Sequence, residues 1–320
     1  MSKFTPRLCS CLAAAILLVF LRVDLDSCAA PRRQAEGSVL PSAIQSRAAS
    51  GDADAQFQLA LYLLQNSHPT DYASIFALVR ASTSQGYAPA QCLLGYLYQE
   101  GLGVPRDYAK GAENYRAAAL QGYTTAENNL AHLYQAGLGV PRNLGTAFTW
   151  YRSSAEHGDA VGERNLGALY YRGLGTHRDF REAAKWFRAA ADQGDPQAEH
   201  DLGFLYYKGL GVPLDYDMAA HWEDLAARQG EPNAEADLGF LYENGKGVRL
   251  DYVAAYVWYM RALGAGVKLA EQRCRSLDHL LTPKQIEQAN AVLAADRSRP
   301  ARRQPFPPAS ADVFVVVQNH

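Results

Sequence analysis

Glycine returns every 36 residues along this chain, at Gly86, Gly122, Gly158, Gly194, Gly230 and Gly266. A second column keeps the same interval at Gly101, Gly137, Gly173, Gly209 and Gly245, and the four tryptophans, Trp150, Trp186, Trp222 and Trp258, form a third. A fixed period in the range of roughly 30–45 residues marks a stack of small supersecondary units, each burying its apolar face against its neighbours. A globular chain of 320 residues would ordinarily divide into two domains, but a stack escapes that limit because its core grows by repetition.

The unit spanning 87–122 shows how the period is built. Ala90, Leu94, Leu97, Tyr98 and Gly101 follow the apolar stripe of one helix. Gly95 lies beside that stripe, where a missing side chain lets a neighbouring helix come close. Gly101 is placed to stop the helix in the left-handed conformation. Val104-Pro105 then crosses to Asp107, which has the type and position of an N-cap. The second helix carries Tyr108, Tyr115, Ala118 and Ala119 inward and ends at Gly122. Each unit is therefore a hairpin of two helices, about twelve and fourteen residues long.

The other columns repeat with little drift. Leu94, Leu130, Leu166, Leu202 and Leu238 share a core position, and Tyr98, Tyr134, Tyr170, Tyr206 and Tyr242 another. Asp71, Asp107, Asn143, Asp179, Asp215 and Asp251 share the cap, and Ala119, Ala155, Ala191 and Ala227 the tight crossing. This gives six repeats at 51–86, 87–122, 123–158, 159–194, 195–230 and 231–266, with capping helices over 267–296. The first repeat is degenerate, with His68-Pro69-Thr70 in place of the glycine turn, as suits an end unit with no outer neighbour. At the other end Thr282-Pro283-Lys284-Gln285 forms a capping box that opens a final helix.

The N-terminus reads as an export signal over 1–29. Lys3 and Arg7 precede an uninterrupted apolar run from Leu12 to Leu21, and Ser27 to Ala29 supplies small residues for cleavage. Ten apolar residues are about half of what spans a bilayer, which disfavours a retained anchor. Leu25-Asp26-Ser27-Cys28 leaves a lipid attachment site open, though Asp fits its second position poorly. Residues 30–50 read as a linker. An exported chain of this kind, periplasmic or secreted, would keep Cys92 and Cys274, which lie five units apart and are expected to stay unpaired. After residue 296, arginines among prolines give the composition of a disordered tail over 297–320. Its run Val313 to Val317 could add a strand to a partner's sheet or act as an aggregation-prone remnant.

Composition narrows the function classes. A formal net charge of −2 gives no basic surface for nucleic acid. The Gly-x-Gly pairs follow helices rather than strands and recur five times, so they read as turns and not as phosphate cradles. The eight histidines form no spaced metal signature, and no metal or cofactor is expected. Cys274 aligns with the core leucines and reads as a buried thiol. The acidic columns have structural explanations: caps at Asp107 and its equivalents, and first-turn dipole partners at Glu127, Glu163, Glu199 and Glu235. His157 replaces glutamine near a helix end. No catalytic constellation emerges.

Leu202-Gly203-Phe204-Leu205-Tyr206, Gly209-Leu210-Gly211-Val212 and Ala219-Ala220-His221-Trp222 resemble the SEL-one-like repeat, a relative of the tetratricopeptide repeat. The resemblance covers about residues 51–296, and Leu281 to Ile286 also resembles the end helix of bacterial members. It implies adaptors and scaffolds in membrane-linked complexes, with inner helices lining a concave groove. A cysteine-rich branch has been linked to penicillin binding, which leaves a cell-wall or β-lactam-interacting hydrolase as the alternative. That branch staples each hairpin with a cysteine pair, and no unit here has one.

Candidate partner-binding residues are inner-helix positions that the Leu/Tyr stripe does not use. They are Asn128, Arg164 and His200 in one column, Asn129, Asn165, Asp201 and Asp237 in the next, His132, Phe204 and Phe240 in a third, and Tyr171 and Tyr207 in a fourth. Amides suit a peptide backbone and aromatics suit anchors. The Asn/Asp column could instead hydrogen-bond to a neighbouring unit, and the aromatics could serve packing between repeats. The chain is thus expected to be an all-α, right-handed α-solenoid of stacked antiparallel hairpins. It would act as an exported scaffold for a protein or peptide partner, with membrane association only through that partner or a lipid anchor.

Overall fold

The computed structural model describes residues 42–66 and 72–297. The expected export signal, the His68-Pro69-Thr70 turn, Asp71 and the expected C-terminal tail lie outside these residues. Among the described residues the chain is helical, with no strand. The helices are α1 (Ser42–Ala49), α2 (Ala53–Asn66), α3 (Tyr72–Thr83), α4 (Ala88–Glu100), α5 (Tyr108–Ala119), α6 (Thr124–Ala136), α7 (Leu144–Glu156) and α8 (Ala160–Arg172). They continue as α9 (Phe180–Asp192), α10 (Pro196–Lys208), α11 (Tyr216–Arg228), α12 (Pro232–Asn244), α13 (Tyr252–Gly264), α14 (Lys268–Asp278) and α15 (Pro283–Arg297). No described helix is long and apolar enough to cross a membrane.

The chain forms two compact units, one ending at Asn143 and the other beginning at Leu144. In the first, α1 to α6 pack each on the next. In the second, α7 to α14 do the same, and α15 folds back on α13. Helix α1 occupies part of the expected linker. It is held there by an Arg47–Asp52 ion pair at 2.9 Å, and its Ala48 is buried.

The turn inside each hairpin follows from its glycines. Gly209 ends α10 in the left-handed conformation (φ 66°) and its N–H bonds to Leu205 O. Two residues on, Gly211 (φ 71°) lies so near the preceding outer helix that a Cβ there would stand 2.1 Å from Phe180 O. The chain then returns to Tyr206 O through the Asp215 N–H at 3.1 Å. The Asp215 side chain caps α11 by accepting from the N–H groups of Asp217 and Met218, each at 3.0 Å. Asp107, Asp179 and Asp251 cap their helices in the same manner. At the C-terminal end Thr282 N–H donates to Gln285 Oε1 at 2.9 Å, completing the expected capping box.

The core runs along the leucine column, where Leu130, Leu166, Leu202 and Leu238 are fully buried. The tyrosine column from Tyr98 to Tyr242 is only half-buried and covers the core's edge; Tyr170, for example, meets Phe148 edge to face at 5.3 Å. Deeply buried rings include Tyr115, Tyr151, Phe187 and Tyr259 on the outer helices, with Phe57 and Tyr96 on inner ones. The rings of Tyr115, Phe187 and Tyr259 lie against Gly95, Gly167 and Gly239 respectively, so closely that a Cβ would fall within 3 Å of each. Cys92 and Cys274 are free and buried, and burial pushes the Cys274 thiol up to about 11.

Candidate functional site

Three inner helices of the second unit, α8, α10 and α12, present the four candidate columns at different depths. The first column is buried. Asn128, Arg164 and His200 keep less than a tenth of their surface, as do Cys92 and Ala236 at the equivalent positions. The expectation that this column faces a partner is therefore corrected: its side chains are buried, and those of Arg164 and His200 meet residues of the inner helix one repeat on or the residue that caps it. Arg164 on α8 reaches forward to Gln197 Oε1 at 2.5 Å and to Asp195 at 3.6 Å. Buried charge is tolerated because these partners lie within reach.

The second column is half-exposed. Asn129 Nδ2 sits 3.9 Å from Cys92 Sγ and Asp237 Oδ2 sits 4.0 Å from His200 Nδ1, so both reach back to the preceding unit. Asn165 and Asp201 are equally half-exposed. Burial raises the Asp201 carboxyl to about 6, against the pull of His200 and Arg164. It raises Asp237 to about 6 as well, opposed by His200 and Lys208.

The outer columns form an aromatic strip. Tyr171 meets Phe180 at 5.3 Å and Phe204 at 6.2 Å, and Tyr207 meets Tyr216 at 5.4 Å and Phe240 at 6.0 Å. All four strip residues, Tyr171, Phe204, Tyr207 and Phe240, are half-buried. Lys246 Nζ donates to Tyr207 Oη at 2.9 Å and lies 4.9 Å from the ring centre, while Lys208 lies 5.2 Å from the same ring. In the first unit His132 is half-buried, and burial lowers its imidazole.

The acidic first-turn column does more than meet a helix dipole. Glu163, Glu199 and Glu235 are buried. Gln193 Nε2 donates to Glu163 at 2.7 Å and Gln229 Nε2 to Glu199 at 2.8 Å, tying each outer helix end to the inner helix of its own hairpin. Burial lifts Glu199 and Glu235 to about 7.

One arrangement was missed from the sequence. Glu223 occupies the position that Phe187 and Tyr259 hold one period either side, facing Gly203. It is 2% exposed, and its Oε2 lies 2.9 Å from Nδ1 of fully buried His200. Asp237 completes a group whose donor atoms all lie within 4.8 Å of one another. Burial raises the Glu223 carboxyl, and the charge of His200 only partly offsets it. Burial disfavours charge on the His200 ring, yet Glu223, Asp237 and Asp201 together carry its pKa well above the usual histidine range. The available signal was the break in the aromatic column, a carboxylate at a position otherwise filled by rings.

The repeat unit is thus a helical hairpin with a Gly-x-Gly turn, an Asp cap and an Ala-rich outer helix, recurring at 36 residues. The profile of the Sel1 repeat matches residues 53–73, 88–123, 124–159, 160–195, 196–231 and 232–267. The chain belongs to the Sel1 repeat family. Only part of the first Sel1 repeat matches, in keeping with its degenerate sequence. Among solved structures, a protective antigen of uropathogenic Escherichia coli strains displaying an SLR fold is 31% identical, with a TM-score of 0.71 over 81% of this chain. The chain spans 57% of that antigen's length. A Sel1 repeat protein from Oxalobacter formigenes is 30% identical, with a TM-score of 0.65 over 78% of this chain and 99% of its own. No curated protein sequence matches. Sel1 repeat proteins are generally scaffolds for protein–protein interaction.

Proposed function

We propose that this protein is an exported, non-catalytic scaffold that holds a protein or peptide segment along the inner-helix face of its repeats, the concave face expected of such an array. The observation that carries the proposal is the half-exposed aromatic strip of Tyr171, Phe204, Tyr207 and Phe240, bordered by Asp201 on one side and by Lys208 and Lys246 on the other. Rings of this kind anchor apolar side chains at little entropic cost, and the flanking charges set register and orientation. Asp201 accepts a backbone or basic N–H, and the lysines meet carboxylates. Asn165 extends the polar edge. The N-terminal apolar run supports export, and the family's general role supports binding rather than chemistry.

Crosslinking with mass spectrometry in the native cell identifies the partner. Asp201→Lys and Tyr207→Ala should each weaken its binding by about tenfold or more, worth roughly 1.4 kcal/mol. Circular dichroism and melting should remain those of the parent chain. Folded variants that still bind with parental affinity would remove the strip from the interface. N-terminal sequencing of the extracellular and periplasmic fractions should find a chain beginning after Ala29. An intact N-terminus in the cytoplasmic fraction alone would refute export.

A further inference from the structure

The His200–Glu223–Asp237 group is independent of the partner-binding strip and asks a different question. Glu223 occupies a site where packing alone is served by a ring, as Phe187 and Tyr259 show. A carboxylate taken out of water there is costly unless a cation accompanies it. His200 is that cation in its protonated form, but it faces three carboxylates, those of Glu223, Asp237 and Asp201. With both carboxylates ionised, one imidazolium leaves a net charge of about −1 by simple addition, an excess that protonation of Glu223 also removes. A divalent ion with neutral imidazole and the same two carboxylates sums to zero.

The distances agree with that count. Ligand atoms at about 2.1 Å from a tetrahedral ion stand about 3.4 Å from one another. Here His200 Nδ1 lies 2.9 Å from Glu223 Oε2 and 4.0 Å from Asp237 Oδ2, with all three donors within 4.8 Å. Coordinating geometry is reached by closing separations of up to 4.8 Å to about 3.4 Å, movements of up to about 1.4 Å shared among the three side chains. The three donors come from α10, α11 and α12, rigid helices rather than loops. His200 Nε2 has no hydrogen-bond partner among the described residues, so the ring's polar anchoring lies wholly on the carboxylate side. Asp237 keeps 18% of its side chain exposed, which gives the ion a way in and leaves a fourth position for water.

We infer that His200 Nδ1, Glu223 and Asp237 bind one divalent transition-metal ion of the zinc type. Imidazole nitrogen with two carboxylates suits zinc better than magnesium or calcium, which take all-oxygen shells. The ion would displace the proton on Nδ1 and tie two successive hairpins, 195–230 and 231–266, through a single centre. Its role in this position is structural: it fixes the spacing of the two repeats.

The test uses the full-length, tag-free chain stripped with EDTA and titrated with zinc chloride against a chromogenic chelator, with melting followed in parallel. One equivalent should bind at micromolar concentration or tighter and raise the melting midpoint, while magnesium and calcium chloride do neither. Glu223→Gln and His200→Asn should weaken that equivalent by more than the ~10–100-fold that even outer-shell changes cost. Glu223→Tyr restores the ring of the neighbouring repeats; it should abolish the zinc response while melting, metal-free, no lower than the parent. Zinc bound equally by parent and Glu223→Tyr would place the ion on other side chains and overturn the assignment. So would the absence of zinc binding by the parent, or an equal response to calcium.

Discussion

Two neighbouring hairpins of the second unit use one frame for two kinds of interior. The hairpin of α8 and α9 seats Phe187 on Gly167, an apolar contact at the crossing. The hairpin of α10 and α11 keeps the glycine, at Gly203, but sets Glu223 against it and reaches across to His200. Both share the left-handed turn, the Asp cap and a Gln–Glu tie. The frame is therefore set by turns and caps, which leaves the crossing free to carry either packing or charge. Packing is robust to pH and solutes. The charged crossing depends on what accompanies it.

The largest break in this comparison comes from Phe187→Ala. Loss of a fully buried ring should cost about 3–5 kcal/mol in urea denaturation, equally at all pH values near neutrality. Next, His200→Ala leaves Glu223 buried without its partner and should cost on the order of 3 kcal/mol at about pH 8. That cost should shrink as the pH falls below about 8, the value to which burial raises the Glu223 carboxyl, because the protonated acid needs no counter-charge. A pH-independent effect would mean that His200 serves only to fill space.

The pH dependence of the parent chain sharpens the contrast further. Glu199 and Glu235 titrate near 7 in the folded state, chiefly because of burial, against about 4.3 when unfolded. Glu163 is raised in the same direction. Between those values the folded chain holds protons that the unfolded chain has released, so stability falls as pH rises. His200 acts in the same sense, since its raised folded pKa stabilises below the unfolded value and is lost above the folded one. In EDTA, the unfolding free energy from urea titration should drop between about pH 5.5 and pH 8, by on the order of 2–4 kcal/mol. A flat profile would show that these carboxylates are better solvated than their burial implies. The smallest effect is expected from Lys246→Ala, below about 1 kcal/mol, because its contact with Tyr207 lies at the surface.

What could be read from the sequence was whatever repeats at 36 residues. Gly209, Asp215 and Leu202 were assigned their turn, cap and core positions because each depends on neighbours a few residues away, and the period repeats the evidence. Arg164 and His200 misled because polarity was taken for exposure; each is buried only because a partner 23 to 33 residues away balances it. The metal-type group escaped for the same reason. Its donors lie on three helices, and no local spacing motif links them. Helix α1 was missed because its residues stand outside the period altogether.

The placement of Gly211 against Phe180 O recurs at Gly175 against Leu144 O and at Gly247 against Tyr216 O. In each case a hairpin's turn rests on the opening of the outer helix one repeat earlier. The array accordingly has a grain. A chain emerging from the ribosome offers every new hairpin a finished seat, whereas one shortened from its front loses the seat before the occupant. Trimming a repeat from the front therefore costs the new first turn its seat, while trimming from the rear leaves every remaining turn seated, and melting of matched truncations should read that difference.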